Sequence, residues 1–283
     1  VGLPTAAAPS GAAARIRIDS RRRWLPDLRA VVRARQLLFL LNRRDITVRY
    51  RQTVLGAIWI VVSPLLSAGL FTFVFGRVAK LPSDGLPYFA FSYAGLLGWN
   101  LFSDTLLSGS RSLVGNSNLI TKIYFPRLVL PISTMASTLV NTGISFVVML
   151  VILFAYRIPL TINLLVLPVW LMLAIALGVG IGLVLTSVSV TYRDVNYVTP
   201  ALMPLLLYVT PVAYSVNAVP ANLRGFYLLN PLATIVEGCR WSLLGSGYLV
   251  PAAIVYTFVV TAASLVIGLI VFTRLEWGFA DVI

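Results

Sequence analysis

The chain has 283 residues, of which 59% are hydrophobic and 11% charged, and a mean hydropathy of +0.91. A soluble domain carries about a quarter charged residues, so polar surface is too scarce here to coat a globule, and the chain reads as an all-α integral membrane protein. The net charge of +13 would fit a nucleic-acid binder, but the arginines crowd a segment that leads straight into an apolar span. Anionic lipid headgroups or an acidic cytoplasmic partner explain that placement better. Histidine is absent and Cys239 stands alone, which removes the commonest metal ligand, the usual general base and any internal disulfide.

Residues 1–26 are rich in Ala, Gly, Pro and Arg without periodicity and are expected to be a disordered tail. No continuous apolar core marks them as a signal peptide. Over 27–54, Leu28, Val31, Val32, Leu38, Phe39 and Ile46 recur at helical spacing between arginines. This predicts an amphipathic helix in the cytoplasmic interface that carries Arg43, Arg44, Asp45, Arg49, Tyr50 and Arg51.

The remainder, 55–283, is predicted to be a six-helix transmembrane domain. A hydrocarbon core takes on the order of 20 apolar residues per helix. Spans are expected at Leu55–Gly76, Tyr88–Leu107, Leu128–Phe154, Leu164–Val190, Tyr197–Tyr214 and Ala252–Phe272. The second is the weakest, loosened by Gly95, Gly98, Asn100 and Asp104. Between Val216 and Leu249, apolar runs are cut by Pro220, Arg224, Asn230-Pro231, Glu237 and Arg240, which predicts two short re-entrant helices broken at Asn230-Pro231. Glu237 and Arg240 are three apart and can pair on one helical face. With both termini inside, most Lys and Arg fall on the cytoplasmic side, as the positive-inside rule requires.

The chemistry is sparse. Neither Lys80 nor Lys122, the only lysines, follows a phosphate-cradling loop, so ATP hydrolysis has no home here. The run Gly178 to Gly182 lies inside an apolar span and reads as a close helix-packing face. Asp104 and Glu237 are the only acids expected near or within the membrane, too few for a catalytic or metal site. Charged relays that would couple transport to ions are also missing from the third, fourth and sixth spans. Trp59, Trp99, Phe102, Tyr208 and Tyr214 lie in or near spans. They form, with Asp104, a candidate substrate pathway, because aromatic faces can stack on sugar rings; packing within the bundle is the competing role for each.

Five segments carry a family resemblance: RRDITVRYRQTVLGAIWIVVSP (43–64), NSNLITKIYFPRLVLP (116–131), VTYRDVNYV (190–198), LNPLATIVEGCRW (229–241) and RLEWGFADVI (274–283). Together and in this order they resemble the permease subunit of type-2 ABC exporters, in the branch that exports lipid-linked O-antigen polysaccharide and teichoic acid.

The resemblance implies a homodimer of six-helix subunits docked to two cytoplasmic ATPase subunits that hold ATP and magnesium, with no cofactor bound by this chain. It implies a coupling helix over Asn118, Leu119, Ile120, Lys122, Tyr124, Phe125, Pro126 and Arg127, and a second contact at Tyr192, Arg193 and Asp194. The segment holding Glu237 and Arg240 would be the helix pair at the exit side. The expected setting is the bacterial inner membrane, multi-pass, with both termini cytoplasmic. A permease for a small lipid or drug, or a scaffold with no transport path, are the competing readings.

Overall fold

The computed structural model describes residues 28–51, 58–122, 125–276 and 279, and the described residues are helical with no strand. Helices α1 (Leu28–Arg33) and α2 (Arg35–Arg51) precede the bundle. Then come α3 (Ile58–Phe71), α4 (Tyr88–Ser110), the short α5 (Ser117–Lys122), α6 (Val129–Ala155) and α7 (Leu167–Thr191). The chain continues through α8 (Val195–Val209), α9 (Ala221–Leu228), α10 (Pro231–Leu244) and α11 (Pro251–Leu275).

Among the described residues, four helices are long and apolar enough to cross a membrane: Ile58–Val78, Val129–Ala155, Ile162–Thr191 and Pro251–Leu275. Two of the expected six spans fall outside that set for opposite reasons. Helix α4 has 23 residues but is interrupted by polar side chains, whereas α8 is apolar but only 15 residues long. Helix α3 runs on in π-helical geometry over Thr72–Val78, with the Ala79 amide donating to the Val74 carbonyl at 2.9 Å.

Helix α4 is the axis of the molecule. It packs against α3, α6, α7, α8 and α10, and most of its residues between Ala90 and Ser110 are buried. Glycines at these contacts permit close approach. A Cβ at Gly178 on α7 would approach the Phe102 carbonyl and Thr105 of α4 at 3.0 Å, so α7 can lie directly on α4. Helix α11 joins from the other side of α7 at a crossing of Gly180 and Gly268, where an added methyl at either position would collide with the opposite backbone. Small residues that bring backbones together are the usual basis of helix association in lipid.

Two apolar cores result. The larger gathers α4, the second half of α6, the first half of α7, and α10; the smaller joins α1 and α2 to Leu128, Val129, Leu130, Val190 and Phe272. A turn at Ala34 divides the expected interface helix in two. In a straight helix Val31 and Leu41 would lie about 80° apart around the axis; with the turn both enter the smaller core. Helix α2 thus rests on the start of α6.

Candidate functional site

The segments singled out for coupling converge on the α2 end of the bundle. Arg44 on α2 donates from Nη2 to Asn116 Oδ1 at 2.7 Å while also pairing with Asp45 at 2.8 Å. Asn116 in turn donates to the Ser112 carbonyl at the foot of α4. Leu119, Ile120 and Phe125 are half-buried against the smaller core, so the apolar content of this segment is partly covered by its own chain. Pro126 and Arg127 follow, also half-buried.

Arg127 is tied to the end of α11 and to Phe279 beyond it. Its backbone N–H reaches Glu276 Oε1 at 3.3 Å, its Nη1 donates to the Glu276 carbonyl, and its guanidinium lies 5.9 Å from the Phe279 ring. Burial pushes the Glu276 carboxyl above its ordinary range, and the neighbouring Arg127 opposes that shift. The α5 segment is therefore fastened both to α2 and to the end of α11.

Tyr192, Arg193 and Asp194 form the exposed turn between α7 and α8 at the same end. The Asp194 carbonyl accepts from the Tyr197 and Val198 amides at 2.9 Å, which starts α8. A 3.5 Å contact from Arg111 to the Asn196 carbonyl ties this turn to α4. Arg43 is exposed on α2. Asn118 sits on α5. Tyr124 and the side chains of Arg49, Tyr50, Arg51 and Lys122 lie outside the described residues.

The six pathway candidates do not form one surface. Trp59 and Asp104 line a cleft of about 380 Å³ between α3, α4 and α6. Trp99 and Phe102, 6.0 Å apart by ring centroid, sit in the larger core at 4% and 1% exposure. The helical turn explains the split: Asn100 and Asp104 hold the cleft face of α4, which turns Trp99 and Phe102 into the bundle. Tyr208 and Tyr214 are at the far end. Tyr208 is exposed and edge-on to Phe75 at 6.5 Å, and the Tyr214 hydroxyl reaches the Tyr208 carbonyl and the Tyr227 hydroxyl, each at 3.1 Å.

That far end holds a buried polar node. The break at Asn230-Pro231 is a helix start: Asn230 Oδ1 accepts from the Leu232 amide, and Pro231 stands where no amide is needed. From α10, Arg240 reaches Glu237 Oε1 at 2.9 Å, the Pro211 carbonyl at 2.7 Å and the Tyr214 carbonyl at 3.3 Å, and also donates to the Val212 carbonyl. Its guanidinium lies over the Phe91 ring at 3.8 Å. Glu237 Oε2 accepts the Tyr248 amide at 2.9 Å. Arg240 thus satisfies the extended turn that ends α8, while Glu237 anchors the approach to α11. Asp84, at φ +52° in the α3–α4 loop, accepts the Ser215 hydroxyl at 2.7 Å and closes the same end.

The ABC-2 type transporter family matches residues 36–244, from the start of α2 to the end of α10. This chain belongs to the ABC-2 type transporter family. Two relatives from Klebsiella pneumoniae, each named O-antigen export system permease protein RfbA, are 26% and 27% identical over 248 residues, which is 87% of this chain and 95% of theirs. A protein of the same name from Myxococcus xanthus is 29% identical over 211 residues, 74% of this chain and 80% of its own. The ABC-2 match agrees with the resemblance read from the five segments. It encloses both the fastened α5 segment and the Arg240 node.

The cleft residues beyond Trp59 and Asp104 are the part that sequence reasoning missed. Asn141, Thr142 and Ser145 on α6 face it, as do Ser63 and Ser67 on α3. Their signal was available as polar residues three or four apart inside apolar helices.

Proposed function

We propose that this ABC-2 transporter chain is the channel-forming permease of an ATP-driven exporter that carries a lipid-linked cell-envelope polysaccharide across the bacterial inner membrane. The observation that carries this reading is the extent of the likeness to O-antigen export permeases, which covers 87% of this chain and 95% of two of those relatives. A likeness of that breadth concerns the whole transport subunit and not one motif.

In this reading α3, α4, α6, α7, α8 and α11 are six spans, with both termini and the α2 end in the cytoplasm. The polar groups of α4 face protein or the cleft, so its weak hydropathy does not bar it from the bilayer. Helices α9 and α10 form a re-entrant pair at the exit side, where non-helical backbone is tolerated because Asn230 and Arg240 satisfy it. Two copies of the chain enclose the pathway, and two cytoplasmic ATPase subunits bind ATP and magnesium.

The ATPases engage the segments 118–127 and 192–194. Arg44 holds Asn116 and Arg127 holds Glu276, so a push on α5 moves α2 and α11 with it. Nucleotide binding then shifts the bundle between closed and open populations by its differential affinity for the two.

Depletion of the chain in its bacterial host tests the cargo. Lipid-linked polymer accumulating at the cytoplasmic leaflet is the expected outcome. Unchanged polymer with an altered drug or small-lipid content would replace this reading with the small-cargo one.

A further inference from the structure

A helix of six residues does not hold its shape in water unaided, so the place of α5 is set by what fastens its flanks. Before it, Arg44 reaches Asn116 at the exposed surface, where water competes for both groups. After it stands Arg127, and its anchorage lies at the end of α11. The Arg127 amide donates to Glu276 Oε1 at 3.3 Å, and its guanidinium donates to the Glu276 carbonyl. Glu276 is itself bound into α11, because its amide donates to the Phe272 carbonyl.

Phe279 completes the anchorage. The Arg127 guanidinium lies 5.9 Å from its ring, and that ring stands edge-on to Phe272 at 5.7 Å. Both phenylalanines are buried, Phe279 at 2% exposure, in the core that also takes Leu128 and Val129 and has Phe125 packed against it. At that exposure the Phe279 side chain offers a docking partner nothing to touch. Its effect on a partner bound at 118–127 has to pass through Arg127 and α11.

Helix α11 is placed to carry a displacement onward. Gly268 precedes Glu276 by eight residues, about 12 Å along the helix, and there the backbones of α11 and α7 meet at Gly180. Close by on α7, Gly178 seats that helix on the Phe102 carbonyl and Thr105 of α4. Contacts this close leave no slack, and close-packed interiors transmit strain. A movement that enters at Arg127 therefore reaches α4, the axis of the bundle, through two glycine crossings.

We propose that Glu276 and Phe279 are positioning residues that clamp the 118–127 segment to α11, and that this clamp transmits the movement of the ATPases to the bundle without being needed for their docking. This deepens the exporter reading and rests on it.

The test uses the full chain assembled with its ATPase subunits in lipid nanodiscs. Cys239, fully buried, is replaced by Ala, and Ile267→Cys, at an exposed position on α11, takes one spin label in each copy. Double electron–electron resonance reads the distance between the two labels before and after trapping with ATP, magnesium and vanadate. Phe279→Ala empties the seat, and Glu276→Lys sets a like charge against Arg127. Their conservative counterparts are Phe279→Leu, which fills the seat, and Glu276→Gln, which keeps an acceptor for the Arg127 amide.

Trapping is expected to shift the distance in the parent and in both conservative variants. In Phe279→Ala and Glu276→Lys the shift is lost, while the ATPases co-purify and trap nucleotide at the parental stoichiometry. A parental shift in either disruptive variant that holds its ATPases overturns the proposal. Loss of the ATPases from both disruptive variants also overturns it, since the two residues would then belong to the docking seat. If Phe279→Ala does not assemble, Glu276→Lys decides alone, read against Glu276→Gln. If the parent holds its ATPases and traps nucleotide while the labels on α11 stay where they were, the clamp falls and the exporter reading stands. If the parent holds no ATPase, both fall.

Discussion

Arg240 is the largest fully buried side chain among the described residues, and its Nη1 lies 2.9 Å from Oε1 of Glu237, one turn earlier on α10. Neither side chain is more than 2% exposed. Removing one partner of such a pair leaves a charge buried without compensation, which costs about 3–5 kcal/mol. Arg240→Met also strips the Pro211, Val212 and Tyr214 carbonyls of their donor. Thermal denaturation of the detergent-solubilised chain is expected to show a large loss for Glu237→Ala and at least as large a loss for Arg240→Met. A parental melting temperature for Arg240→Met would contradict the role assigned to the node.

The α7–α11 crossing makes a second prediction. Gly268→Ala drives a methyl into the Gly180 carbonyl, and Gly180→Ala meets the Leu265 amide at 2.7 Å. Overpacking of this kind costs about 1–3 kcal/mol. Gly115→Ala meets nothing within 4 Å and is expected to melt like the parent. The same melting series checks all three, and equal behaviour would show that the crossing is not a close packing face.

Glu276 gives a pH signature. Its carboxyl is raised by burial, so the folded chain binds that proton more tightly than the unfolded chain. The sign follows from linkage: its contribution to stability is fully present below the ordinary carboxylate pKa and is lost as pH rises through the raised folded value. Glu276→Gln removes the titration while keeping an amide beside Arg127. A plot of melting temperature against pH is expected to be flatter for the variant from the ordinary carboxylate range upward. Identical slopes would mean that Glu276 is not the titrating group.

Replacing Phe125 with Asp tests the coupling assignment. Phe125 is half-buried against the smaller core beside Arg127, so a charge there disturbs both the docking segment and its seat. Loss of ATPase co-purification together with export is the expected result, while the solubilised permease still elutes as a monodisperse species. Intact export would favour a scaffold role over transport.

Hydropathy located the helices well because lipid imposes one rule on every span. The helix break at Asn230-Pro231 and the Glu237–Arg240 pairing were also legible, since proline chemistry and i,i+3 spacing are local. The pathway aromatics were harder. Trp99 and Phe102 are apolar like any core residue, and only their angular offset from Asn100 and Asp104 tells that they face inward. Arg127 turned toward Glu276 across 149 residues, a pairing that no local pattern encodes. The cleft depends on three helices meeting, so each polar stripe alone reads as an ordinary weakness in a span.

The most direct measurement of the exporter account is the native mass of the gently solubilised complex, co-expressed with candidate ATPase subunits from the same organism. The account predicts two copies of this 30.8 kDa chain with two ATPases, and a retained polyprenyl-linked glycan in the spectrum. A monomer, or a dimer that never holds an ATPase, would contradict it.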